Sequence, residues 1–225
     1  MSPLLANIYL HHVFDLWAKW WRDRHADGDV IIVRFADDVI VGFQYEADAR
    51  RFWAELGERF AKFGLELHPD KTRLIEFGRY AAGRRGRRGL GKPETFDFLG
   101  FTHMCARTKS GRFFVRRKTI AKRMRAKLAE IKTQLKRRRH DPIPVQGQWL
   151  GAVVRGHRAY YAVPGNIDAI QAFRTQVIRH WRHALRRRSQ KTTITWARIN
   201  RYAARWLPPA QTRHPYPNQR LCATT

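Results

Sequence analysis

From Ser2 the apolar positions Leu4, Leu5, Ile8, Tyr9, His12, Leu16 and Trp20 recur at helical spacing to about Arg24. Ser2 stands where an N-cap belongs and Pro3 where a first turn accepts proline. After an Asp27-Gly28 turn the period changes. Val30–Phe35 and Val39–Phe43 are β-branched and aromatic, which predicts two strands linked across Ala36-Asp37-Asp38. Asp48 to Phe63 returns to a helical stripe of Phe52, Leu56, Phe60 and Phe63, stopped by Gly64. Leu65–Leu67 and Leu74–Phe77 read as short strands, Gly78 to Pro93 as a Gly/Arg loop, and Thr95–Thr102 with Arg112–Arg116 as a further strand pair.

Beyond residue 117 the pattern is helical throughout. Lys118 to Arg139 sets Ile120, Met124, Leu128, Ile131 and Leu135 on one face. Gln146 to Tyr161 carries Trp149, Val153, His157 and Tyr160; Ile167 to Arg188 carries Ile170, Phe173, Val177, Trp181 and Leu185. Thr195 to Leu207 makes a shorter helix with Trp196, Ile199, Ala203 and Trp206. Pro142, Pro144 and Pro164-Gly165-Asn166 punctuate them. The expected architecture is α+β over 1–117, an all-α helical bundle over 118–207, and an irregular tail over 208–225. Trp149, Trp181 and Trp196 are expected in the core; Tyr160 and Tyr161 are open to either role.

Charge sharpens this division. The 225-residue chain has 45 Lys/Arg against 18 Asp/Glu, a net charge of +27. Met1 to Phe77 is slightly acidic, with 10 Lys/Arg against 13 Asp/Glu, and Gly78 to Thr225 holds 35 against 5. Like charges four apart destabilise a helix, so the one-sided face from Arg112 to Arg139 calls for a polyanion. The candidate phosphate contacts are Arg84, Arg85, Arg87 and Arg88 in the Gly/Arg loop, then Arg116, Arg117, Lys118, Arg123, Lys127, Arg137, Arg138 and Arg139, and last Arg186, Arg187 and Arg188. No apolar run reaches the length of a membrane span, so no membrane partner is expected. Cys105 and Cys222 form neither a disulfide framework nor a zinc set.

The acidic pair Asp37-Asp38 has two readings. A two-residue hairpin linker commonly contains Asp. Two adjacent carboxylates also repel each other, and a bound divalent cation removes that repulsion; Mg²⁺ prefers such hard oxygens together with phosphate.

The order of motifs adds a resemblance. Ser2-Pro3-Leu4-Leu5-Ala6-Asn7, Phe35-Ala36-Asp37-Asp38 between strands, Phe63-Gly64-Leu65 through His68-Pro69-Asp70-Lys71-Thr72, and Phe96-Asp97-Phe98-Leu99-Gly100-Phe101 follow one another. Gly156, Tyr160, Tyr161 and Pro164-Gly165-Asn166 come later. Together these resemble the reverse transcriptases encoded by bacterial group II introns, the intron-encoded maturases, with Phe35 where many members have Tyr. The resemblance implies a partial right-hand polymerase palm followed by a helical thumb or maturase region, in the bacterial cytoplasm. It implies that Asp37 and Asp38 are the catalytic carboxylates and ligands of Mg²⁺. Phe35 and Ala36 would shape the nucleotide site near the primer terminus, Lys71 would neutralise nucleotide phosphates, and Asn7 would lie beneath the nascent base pair. Phe98, Leu99 and Gly100 would form the hairpin that grips the primer. Structured intron RNA and a DNA primer or target are the implied partners.

In that family a third carboxylate, finger elements and a Gln-Gly-Gly stretch precede the first of these motifs. This chain begins at Met1-Ser2-Pro3, so RNA-directed DNA polymerisation is expected only with a separately supplied N-terminal palm and fingers part. A non-catalytic RNA-binding module, or the decayed remnant of a mobile element, is the alternative.

Overall fold

The computed structural model describes residues 2–189, 191 and 193–215; Cys222 and the end of the tail lie outside them. The chain divides into two compact units, Met1–Ile75 and Glu76–Thr225. The change of pattern near residue 117 is therefore a sheet-to-helix step inside the second unit.

The first unit opens with α1 (Pro3–Leu10), a π turn (His11–Asp15) and α2 (Leu16–His25). Ser2 occupies the N-cap position, but its hydroxyl makes no capping bond. The stripe expected to face the core does not. Leu4, Leu5, Ile8, Tyr9, Leu16 and Trp20 are exposed, while Val13, Phe14, Ala18 and Trp21 are buried. The segment is apolar on more than one face, and the π turn adds a residue that rotates the later positions inward. Strands β1 (Val30–Phe35) and β2 (Asp38–Phe43) form an antiparallel hairpin with Phe35 opposite Asp38. Helix α3 (Glu46–Ala61) closes the core of Phe14, Ala18, Trp21, Val30, Phe52 and Leu56. The buried Asp48 carboxylate ties α3 to the Asp27-Gly28 turn by accepting both of that turn's backbone N–H groups, at 3.0 and 3.1 Å. Gly64 ends the helical region at φ +64°, as its type predicts. Leu65–Leu67 and Leu74–Phe77 are not strands. Both segments are short and have no ladder partner among the described residues, where the sheets are β1-β2 and β3-β4-β5.

The second unit begins with a further departure. The expected Gly/Arg loop contains a helix, α4 (Ala81–Arg87). Arginine is a good helix former, and Glu76 clamps this turn by pairing with both Arg84 and Arg88. A three-stranded antiparallel meander follows: β3 (Phe96–Phe98), β4 (Phe101–Arg107) and β5 (Phe113–Thr119). The strand expected over Thr95–Thr102 is thus two strands folded at Leu99-Gly100. Helices α5 (Ala121–Arg137), α6 (Ile143–Tyr161), α7 (Ile167–Arg186) and α8 (Trp196–Trp206) complete the unit. Lys118, expected to open the first of them, lies in β5. Asn166 joins sheet to helices: its side chain accepts from the Thr119 N–H at 3.0 Å and donates to the Thr119 hydroxyl and the Tyr161 carbonyl, both at 2.8 Å.

The helical core gathers Leu128, Ile131, Leu135, Leu150, Val154, Phe173, Val177, Trp181, Leu185, Ile199 and Ala203. Along α6 the buried face falls one residue away from the expected stripe, on Gln146, Gly147, Leu150, Gly151 and Val154. Trp181 is fully buried and Trp149 partly so, but Trp196 is half exposed at the first turn of α8, with the Arg182 guanidinium 4.4 Å over its ring. No helix among the described residues is long and apolar enough to cross a membrane.

Candidate catalytic hairpin and nucleic-acid interface

Asp37 sits in the turn between β1 and β2, and Asp38 is the first residue of β2. Both are exposed, and neither carboxylate has a hydrogen bond or ion pair among the described residues. In a chain so rich in cations, two adjacent carboxylates without a basic partner are available to an external cation.

The turn itself is strained and braced. Ala36 has φ +55°, a left-handed conformation that non-glycine residues rarely adopt. The Arg34 side chain donates to the Ala36 carbonyl at 2.9 Å. The same guanidinium donates to Asn7 Oδ1 at 2.9 Å and to both oxygens of Asp15 at 2.7 and 2.6 Å. Arg34 therefore fastens the acidic hairpin to α1 and to the π turn, and the bidentate pair fixes its direction as well as its charge. Asn7 joins the hairpin through this guanidinium. Phe35 is exposed beside it. Lys71 lies exposed in the turn after His68 and makes no hydrogen bond or ion pair with the hairpin.

Hydrogen bonding from Arg34, then from His11, holds the Asp15 carboxyl below its ordinary 3.8 against the opposing effect of burial. The sign follows: stability from this pair is complete above about 3.8 and drains away as pH falls through the lowered value. Asp15→Asn should cost about 1–3 kcal/mol at neutral pH and flatten the acid limb of the first unit's unfolding. Backbone amide shifts of Ala36 followed from pH 7 downward check this; an unchanged acid limb contradicts it.

The second unit carries a matching device. Leu99 (φ +47°) and Gly100 (φ +81°) form a two-residue hairpin turn between β3 and β4. Ala36 and Leu99 are the two non-glycine residues with positive φ among the described residues. The Leu99 carbonyl, like that of Ala36, is held by a side chain, here the Tyr160 hydroxyl at 2.8 Å. A Cβ on Gly100 would stand 3.1 Å from the Tyr161 hydroxyl and 3.3 Å from an Arg123 nitrogen, so this turn lies tight against α5 and α6.

The expected phosphate contacts divide into two groups. Arg84 and Arg88 pair with Glu76, Arg85 with Glu94, Arg116 with Asp168, Lys127 with Glu130 and Arg138 with Asp141. Arg188 donates to the Asp141 carbonyl, and Arg139 Nε is buried. Arg117 also interacts within the protein. Arg87, Lys118, Arg123, Arg137, Arg186 and Arg187 are exposed and have no protein partner among the described residues. The second unit has six acidic residues, and all are engaged: five in the ion pairs above and Asp97 with the Thr102 hydroxyl.

Residues 1–103 match the family model for reverse transcriptase (RNA-dependent DNA polymerase). The matched segment is a little under half of the chain and includes the acidic hairpin and the Leu99-Gly100 turn. No curated protein matches the chain. Within this reverse transcriptase-like segment, Arg34 and Asp15 are the residues that motif reading passes over. The signal for Arg34 was one charge in the apolar strand VIIVRF; its partner Asp15 lies 19 residues earlier and had none.

Donor chemistry suits Mg²⁺ at the acidic hairpin: two exposed carboxylates supply hard oxygens and leave room for water and phosphate. No group of three His, Cys, Asp or Glu side chains that could hold a metal occurs among the described residues. Asp37 and Asp38 can thus contribute to a metal centre whose remaining ligands come from solvent, nucleotide or another polypeptide.

Proposed function

We propose that the chain is the palm and thumb portion of a group II intron reverse transcriptase/maturase. In this reading Asp37 and Asp38 hold Mg²⁺, which supplies charge neutralisation for phosphoryl transfer in RNA-directed DNA synthesis. Arg34 keeps the carboxylates at the strand end, Lys71 serves the incoming nucleotide, and the Phe98-Leu99-Gly100 turn holds a DNA primer. The basic helical unit holds structured intron RNA and assists splicing. The observation that carries the reading is the unpaired Asp37-Asp38 tip, braced by Arg34, inside the segment that matches reverse transcriptases. Among the described residues no third carboxylate joins Asp37 and Asp38, so in this reading the further ligands are water, nucleotide phosphate or a complementing polypeptide with the family's fingers and first carboxylate.

Primer extension on an RNA template by the full chain, with and without such a complementing polypeptide, tests the catalytic part. Synthesis that needs the complement and disappears with Asp37→Ala is the expected result. Synthesis indifferent to Asp37→Ala removes the carboxylates from the mechanism.

A second reading keeps RNA binding and drops catalysis. It is favoured by the lack of a three-residue metal set among the described residues and by the excess of unpaired cations in the second unit. RNA binding with no synthesis under any complementation selects it.

A further inference from the structure

Helix α6 contains three glycines, and two have a packing reason. A Cβ on Gly147 would stand 2.5 Å from the Trp206 ring, and one on Gly151 would stand 2.6 Å from the Trp206 carbonyl oxygen. Gly156 has nothing among the described residues within 4 Å of where its Cβ would stand. Glycine inside a helix sacrifices stability relative to alanine, so a position with open space beside it needs another explanation. One such explanation is the close approach of a ligand to backbone.

Gly156 lines a cavity of about 220 Å³ with Arg123, Lys127, His157, Tyr160 and Tyr161. Arg123 is exposed and has no protein partner among the described residues, while Lys127 is shared with Glu130 at 2.9 Å. The His157 ring is stacked on Phe173 with centroids 3.7 Å apart, and its Nε2 is buried without a hydrogen-bond partner among the described residues. Burial, with Lys127 adding to it, holds that imidazole at about 4, so it is neutral near pH 7 and adds no charge to the cavity. Tyr160 is half exposed, stacked on Phe101 and fixed by its bond to the Leu99 carbonyl. The walls thus present one free cation, aromatic faces and a bare stretch of helix.

We propose that this cavity seats one sugar–phosphate unit of a nucleic-acid strand passing the Leu99-Gly100 turn. The phosphate lies on Arg123, and the sugar ring lies against the Gly156 backbone beside the tyrosine faces. The volume is below the ~300 Å³ at which drug-sized pockets begin, which suits one backbone unit rather than a free nucleotide. The inference rests on the nucleic-acid-binding part of the proposed function and is independent of catalysis.

Fluorescence anisotropy of the full chain with labelled single-stranded RNA and DNA of one sequence tests it, alongside thermal melting. Gly156→Ala should melt no lower than the parent, because it adds helix propensity and meets no neighbour, yet bind about tenfold more weakly. Arg123→Gln should reduce the slope of log affinity against log salt by about one. Should Gly156→Ala melt lower, the Arg123→Gln slope decides. Loss on RNA alone supports the site with the 2′-hydroxyl as a determinant; equal loss on both strands supports it with the phosphate and sugar ring as the determinants. Parent-like affinity of Gly156→Ala for both strands overturns the site, as does displacement of the labelled strand from the parent by polyglutamate as readily as by unlabelled strand. A parent chain whose binding to either strand ignores salt removes the nucleic-acid reading itself, a distinct result.

Discussion

Raising monovalent salt from roughly 50 to roughly 200 mM should weaken RNA binding by this chain by about 250- to 1,000-fold. The reason is the internal charge balance of the second unit, which has 35 Lys/Arg and only six acidic residues. Those acids are spent on Arg84, Arg85, Arg88, Arg116, Lys127 and Arg138, with Asp97 on a hydroxyl. Of the cations expected to meet phosphate, Arg87, Lys118, Arg123, Arg137, Arg186 and Arg187 face solvent without a protein partner among the described residues. If each meets one phosphate, log affinity against log salt should slope at about −4 to −5. Removing Arg186 and Arg187 together should lower that magnitude by about two. Removing Arg84 and Arg88 should act on α4 more than on RNA. A flat salt response would mean that these helices do not touch phosphate. Repulsion among the cations also predicts that bound RNA raises the melting temperature of the unit.

Trp181→Ala should be the most destabilising single change in the helical core, at about 4 kcal/mol or more. Trp181 is fully buried and donates from Nε1 to Gln146 Oε1 at 2.9 Å. Gln146 is itself buried and donates onward to the Arg138 and Arg139 carbonyls at the end of α5. Alanine would leave a cavity between Trp206 and Tyr202 and strand the Gln146 oxygen. Trp181→Phe separates the two costs, since it keeps most of the volume and loses only the donor, for about 1–3 kcal/mol. Urea unfolding followed by far-ultraviolet circular dichroism measures both. Equal losses for the two variants would show that the hydrogen bond, not the packing, dominates.

The long helices were legible because they offer one apolar stripe in a polar surround. Ile170, Phe173, Val177, Trp181 and Leu185 are all buried in α7, as their spacing predicts. The first helix misled because Leu4, Leu5 and Ile8 share it with Val13, Phe14 and Trp21, so period alone could not choose the inward face. Trp196 misled because residue type says nothing about position at a helix start. The α4 segment was hidden by its glycines, and its clamp, Glu76, lies outside the run. At the hairpins, composition displayed the acidic tip, whereas the Leu99-Gly100 turn lay inside a run that reads as one strand over Thr95–Thr102 and was signalled only by the family resemblance. The braces Arg34–Asp15–Asn7 and Tyr160–Leu99 join residues 19, 27 and 61 positions apart, and no local pattern encodes such pairings.

The π turn at His11–Asp15 makes the length of the first helical segment part of the hairpin's support. A π turn contains one residue more than an α turn would. Excising His12, which is exposed, would let the segment wind as a plain α-helix. Everything before it would then swing about 100° around the axis. Asn7 would leave Arg34, and the Ala36 carbonyl would lose its link to α1. Substitutions at His12 should therefore be tolerated where its deletion is not, so this short stretch acts as a spacer.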